Sequence, residues 1–205
     1  MSIVCERFVQ ADMPRTGTVY VSKVLLRKGR LPRAVMRLTD GAAAHLPAWW
    51  LRLKGYGEGR TILATVRSPY SWYPSWWAWM RLHGPDHLKG RSFDEALDAA
   101  LDGEPLSIGL DPQELGAHWP STGSTWEKAT RYYTQNAPGD WAADVLLCGD
   151  LGHELAKLGL VDDLPPKHVS KSLPVLTRAQ EQRISDVDGG FWLEVLAKLN
   201  ERRAA

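Results

Sequence analysis

Phe8-Val9-Gln10-Ala11-Asp12-Met13 runs directly into Pro14-Arg15-Thr16-Gly17-Thr18-Val19-Tyr20, and this stretch decides the fold. The first six residues predict a short strand. Pro14 breaks it, and over residues 18–26 the apolar side chains recur at helical spacing. The order is strand, loop, helix, and it returns further along. Thr61-Ile62-Leu63-Ala64-Thr65-Val66 is continuous and β-branched enough for a buried parallel strand. Arg67 and the turn at Pro69 follow it, then a helix over about residues 71–82. Asp144-Val145-Leu146-Leu147-Cys148 predicts another strand, with a helix over 150–158 after it. Ser92-x-x-Glu95, Ser124-x-x-Glu127 and Thr177-x-x-Gln180 each have the form of a capping box that opens a helix. Strands alternating with helices imply an α/β fold, in which ligands bind beyond the carboxyl ends of the strands. Both loops of interest stand at such ends.

Composition bounds the rest. At 205 residues the chain suits one domain with a proper core, taken here as 1–205. Residues 84–123, rich in Gly, Pro and Asp around one short helix, predict a lid or surface excursion. A net charge of +1 supplies no broad basic field, so anion recognition must rest on a few placed cations, and long nucleic acid is excluded as a partner. Two distant cysteines give neither a disulfide framework nor a zinc site, which fits a reducing cytoplasm and no metal. Residues 1–6 lack the pattern of a leader, and no stretch reaches the ~20 apolar residues that span a bilayer, so a soluble protein without a membrane partner is expected.

The loop at residues 14–20 has the parts of a phosphate cradle. Backbone amides and the helix N-terminus can hold an anion there, and Gly17 allows close approach. Thr16 and Thr18 add hydroxyls, and Arg15 adds a cation able to take two oxygens. A plain helix start with a Thr cap and an exposed arginine has the same residues. No G-x-x-x-x-G-K-[ST] pattern occurs, which weakens an ATPase or kinase reading. In the second loop, Arg67 at the strand end and Ser75 in the next helix could clamp a second phosphate. Taken alone, they read as well as a strand-end arginine and a helix-surface serine.

Residues 14–20 resemble the P-[KR]-[ST]-G-T-[TS]-W loop of PAPS-dependent sulfotransferases. Arg67-x-Pro69 with Ser75 eight residues after Arg67 is similar to that family's 3′-phosphate motif. Asp150-Leu151 and, later, Leu164-Pro165-Pro166-Lys167-His168-Val169-Ser170-Lys171-Ser172 resemble the "E-D-L … L-P-x-V-N-x-S" tail of bacterial and carbohydrate members. The resemblance spans about residues 8–172 and leaves the predicted lid unmatched. It implies a three-layer P-loop-like fold, with a central mostly parallel sheet and helices on both faces. It further implies that Arg15, Thr16, Gly17, Thr18 and Val19 hold the 5′-phosphosulfate of PAPS (3′-phosphoadenylyl sulfate), and that Tyr20 stacks on adenine. Arg67 and Ser75 would hold the 3′-phosphate, with Ser170 and Lys171 completing the cofactor site. Arg15 stands for the commoner lysine and has a catalytic role as well. Val19 replaces a hydroxyl residue, and Ser170 occupies an asparagine position. Ala44-His45-Leu46-Pro47 resembles the T-H-L-P segment that carries the catalytic histidine of cytosolic sulfotransferases. Imidazole suits deprotonation of an acceptor hydroxyl near neutral pH. Glu58 and Asp40 are the alternative bases.

The implied activity is sulfuryl transfer from PAPS to a hydroxyl, less readily an amine, of a small-molecule or carbohydrate acceptor. Its rivals are a non-catalytic PAP- or nucleotide-binding module and a P-loop-type small-molecule kinase. Ten tryptophans stand out, six of them between Trp49 and Trp79. Trp72, Trp76 and Trp79 fall at i, i+4 and i+7, the spacing of a core stripe. Trp49 and Trp50 are the ones placed to face an acceptor ring. His83, His87, His118 and His153 show no metal spacing and read as structural, and residues 198–203 read as a solvated helix end.

Overall fold

The computed structural model describes residues 2–28, 36–38, 45–104, 120–160 and 173–204. Two short strands, β1 (Ser2–Val4) and β2 (Phe8–Ala11), precede helix α1 (Thr18–Lys28), strand β3 (Met36–Leu38) and helix α2 (Ala48–Leu53). Strand β4 (Thr61–Val66) leads to α3 (Pro69–His83), α4 (Asp86–Lys89) and α5 (Phe93–Leu101). After them come α6 (Thr125–Thr134), a small hairpin of β5 (Gln135–Ala137) and β6 (Asp140–Trp141), and strand β7 (Asp144–Leu147). A 3-10 turn (Cys148–Asp150), α7 (Leu151–Lys157) and α8 (Arg178–Ala204) complete the described elements.

The five-stranded sheet has the order β3-β1-β2-β4-β7. β2, β4 and β7 are adjacent and parallel, paired as Val9↔Ile62 and Ala64↔Val145 among others. β1 runs against β2 and β3, so β3 shares the direction of the other three. This is an α/β architecture with a mostly parallel central sheet.

Alternation along the strands explains where the helices lie. Leu63 and Leu146 point to one face, where they meet Val21, Val24 and Leu25 of α1 and Leu151 and Leu155 of α7. Ile62 and Ala64 point to the other, against Ala48 and Leu51 of α2, while Val66 and Val145 join the tryptophan-rich core of α3, α6 and α8. A strand covered on both faces reads as an unbroken apolar run, as residues 61–66 do.

All three capping motifs open helices. Ser92 and Glu95 form the reciprocal pair. Ser124 accepts from the Glu127 amide, and Thr177 and Gln180 bond in both directions. The segment read as a lid carries α5, whose Ala96, Leu97 and Ala100 are buried in the main core, so its first part is packed against the body. Residues 105–119 lie outside the described residues. Of the predicted stripe, Trp72 and Trp76 are buried and stack on each other at 5.7 Å, while Trp79 is only partly buried, its ring beside His83. The end of α8 is not simply solvated. Arg202 is only 11% exposed and pairs with the fully buried Glu154.

Candidate functional site

The carboxyl ends of β2, β4 and β7 open on one side of the sheet, and a pocket of about 770 Å³ lies there. Its first wall is the loop after β2 and the start of α1, with Arg15, Gly17, Thr18, Val19 and Tyr20. Arg67, Ser68, Ser71 and Ser75 form the second wall, at the end of β4 and the start of α3. The third is the turn from β7 into α7, with Trp192 of α8 beside it. Thr18 and Val19 begin α1, so the positive end of that helix dipole is at the pocket.

The first loop is held in unusual backbone geometry. Arg15 has φ +65° and Gly17 φ +84°. A Cβ at position 17 would stand 2.7 Å from Leu151 Cδ1 and 3.1 Å from Cys148 Sγ, so glycine lets the first and third walls close on each other. Gln10, buried in β2, donates to the Thr18 carbonyl at 2.8 Å and accepts from Ser22 at 2.8 Å, which seats α1 on the strand end.

The two arginines expected to bind separate phosphates come together. Arg15 Nη2 donates to Ser75 Oγ at 3.1 Å, and Arg67 donates through Nη1 to the Arg15 carbonyl (3.4 Å) and through Nε to Ser71 Oγ (3.0 Å). Among the described residues, the Arg15 Nε is buried without a hydrogen-bond partner. Burial first, and the charge of Arg67 second, pull the Arg15 pKa below its ordinary value. An arginine stays protonated regardless. Two cations lie side by side here with no carboxylate ion-paired to either among the described residues, so this corner of the pocket is electropositive.

Two buried tryptophans hold these loops from behind. Trp72 Nε1 donates to the Pro14 carbonyl at 3.3 Å, and Trp126 Nε1 donates to the Arg67 carbonyl at 3.0 Å.

Other expected residues are placed differently. The Thr16 hydroxyl donates to the Met13 carbonyl at 2.8 Å and lies 2.7 Å from the Thr65 hydroxyl, fully buried and off the pocket wall. His45 stands at the end of β2, its Nδ1 3.2 Å from both the carbonyl and Oδ2 of Asp12. It does not line the pocket. Burial lowers its pKa to about 4, so the imidazole is neutral at pH 7. Glu58 is exposed in the turn after α2, also off the pocket. Asp40, Ser170 and Lys171 lie outside the described residues. Trp49 packs edge-on to Tyr132 and Trp50 stacks on Tyr56, so neither faces the pocket.

Sequence reasoning passed over much of the third wall, including Cys148, Gly149 and His153, and it also missed Trp192. The rule that ligands gather at parallel strand ends could have found the turn after residue 147. Nothing local marks Trp192. Among the described residues, no group of three or more His, Cys, Asp or Glu converges as metal ligands, and no helix is long and apolar enough to cross a membrane. Compared with known protein families, curated proteins and solved structures, the chain has no match.

Proposed function

We propose that this chain is a PAPS-dependent sulfotransferase of the three-layer P-loop-like type, acting on a hydroxyl of a small-molecule or carbohydrate acceptor. The observation that carries the reading is the meeting of Arg15, Arg67 and Ser75 at the ends of adjacent parallel strands, with no ion-paired carboxylate among the described residues. The buried, unpartnered Arg15 Nε and the close approach allowed at Gly17 suit a phosphate at the first loop. Arg67 and Ser75, at the motif spacing, suit the 3′-phosphate. Two free cysteines fit a reducing, cytoplasmic setting.

PAPS supplies an activated sulfuryl group. When the acceptor oxygen bonds to sulfur, the bond from sulfur to the phosphate oxygen breaks, and the negative charge left on that phosphate falls to Arg15, Thr18 and the N-terminus of α1. The acceptor proton goes to a base. His45, neutral at pH 7 and with Nδ1 held by Asp12, keeps Nε2 as the proton-accepting atom. Its pKa of about 4 keeps it neutral well below the pH at which an ordinary histidine protonates, at a cost in basicity.

The position of His45 off the pocket wall favours one second reading, a non-catalytic PAP-binding module. A thermal-shift series with PAP, PAPS, ATP and GTP, followed by sulfate-transfer assays on a hydroxyl acceptor panel, tests both. PAP is expected to raise the melting temperature more than ATP at equal concentration. Greater stabilisation by ATP would defeat the 3′-phosphate assignment, and no shift with any nucleotide would defeat the nucleotide site. Binding of PAP without transfer to any acceptor selects the second reading.

A further inference from the structure

The turn from β7 into α7 carries Gly149 and Gly152, which give it little side-chain packing of its own. Yet Leu151 and Cys148 are pressed against Gly17. Leu151 and Leu155 pack this wall on α1 and the sheet, and its charged contacts come from the far end of α8. Glu154, in α7, is fully buried, and a carboxylate taken out of water needs cationic partners. It has two. Arg202 pairs with its Oε2, and Arg203 donates to Oε1 through Nε (2.9 Å) and Nη2 (2.5 Å). The same Nη2 of Arg203 reaches Asp150 Oδ2 at 3.3 Å.

Asp150 is the acidic side chain among the pocket's described lining residues. Left alone, it would repel the anion that Arg15 and Arg67 attract. Its pair with Arg203 is half-exposed and therefore weak as an anchor, so the buried contact to Glu154 supplies the hold and the contact to Asp150 supplies the charge.

We infer that Arg203, with Arg202, is a positioning residue of the anion pocket. Through Glu154 it braces the β7–α7 turn against Gly17, and through Asp150 it offsets the negative charge in the wall. The inference rests on the anion-binding reading of the pocket, but not on PAPS being the ligand.

The test uses the full chain and two readouts. Iodoacetamide labelling measures the exposure of Cys148 in the third wall, with the buried Cys5 as internal control. Calorimetry with inorganic pyrophosphate measures anion affinity. Arg203→Ala is expected to label Cys148 about tenfold faster with Cys5 unchanged, and to bind pyrophosphate about tenfold more weakly. Arg203→Lys, which keeps the charge, should recover most of both. Adding Asp150→Asn to Arg203→Ala should restore anion affinity while Cys148 stays reactive. Parental labelling and affinity in Arg203→Ala would overturn the brace, as would Cys5 accelerating in step with Cys148. If Arg203→Ala does not fold, Arg203→Gln, which keeps the stem without the charge, is read the same way. A parent that fails to bind pyrophosphate defeats the anion reading, and the Cys148 rates then judge the brace by themselves.

Discussion

Arg15 occupies left-handed backbone at φ +65° without being glycine, a conformation that costs an ordinary residue about 1–2 kcal/mol. Its guanidinium is also drawn from water beside that of Arg67. The fold receives one side-chain hydrogen bond from this placement, to Ser75, and under the proposed function the strained backbone serves the bound anion. Glycine at position 15 would remove both the strain and the charge, while adding about 0.5–1 kcal/mol of unfolded-chain entropy that offsets part of the gain. Arg15→Gly is therefore expected to melt no lower than the parent in thermal denaturation. Its PAP affinity, by titration, should fall about ten- to hundredfold for the lost charge-assisted contacts. A drop in melting temperature of more than about 5 °C would make Arg15 a structural residue instead. Thr16 marks what a motif leaves open at this scale. The pattern puts its hydroxyl in a phosphate loop, but the hydroxyl is turned inward to Met13 and Thr65. Spacing says which residues share a loop, and the packing beneath decides which way each side chain turns.

At the scale of elements, the tryptophans join core to site. Trp126 is fully buried in α6 and meets Trp192 of the pocket wall edge-on at 6.0 Å, while its indole N–H holds the Arg67 carbonyl at the end of β4. Trp126→Phe keeps an aromatic ring and deletes that donor. Losing this part-buried hydrogen bond costs about 0.5–1.5 kcal/mol, which chemical denaturation should report. PAP binding should weaken with it, because Arg67 loses its support. Parental affinity in a destabilised Trp126→Phe would show that the loop is set by α3 alone. The strands β2, β4 and β7 were legible because each is a short, mainly apolar or β-branched segment that ends at a loop before a helix. The helix starts after Ser92, Ser124 and Thr177 were legible because capping is local chemistry. β1 and β3, at three residues each, carry too little pattern to read, and β1 also reverses direction in the sheet. The extent of α8 was hidden for another reason. Its buried stripe of Ile184, Phe191, Val195 and Leu199 is interrupted by Asp188, and Gly189-Gly190 reads as a break.

Asp188 is where the whole molecule is tied together, since its carboxylate on α8 accepts from Tyr73 of α3 at 2.7 Å and from Ser124, the cap of α6, at 2.5 Å. Burial raises its pKa from 3.8 to about 6, against the lowering effect of those two donors. The folded state therefore keeps a proton that the unfolded chain gives up above pH 3.8. Stability from this group is present at low pH and is lost as pH rises from about 4 through 6, an effect of about 2–3 kcal/mol. His45 works in the opposite sense. With a folded pKa of about 4 against 6.5 unfolded, it takes stability away as pH falls through the same window. The parent's own pH profile mixes the two. A comparison of the parent with Asp188→Asn separates them, because His45 is common to both and drops out of the difference. Lowering the pH from 7 to 4 should raise the stability of the parent relative to Asp188→Asn by about 2–3 kcal/mol in urea titrations. A difference that does not change with pH would mean that Asp188 is ionised in the folded protein throughout, held there by Tyr73 and Ser124 strongly enough to overcome its burial.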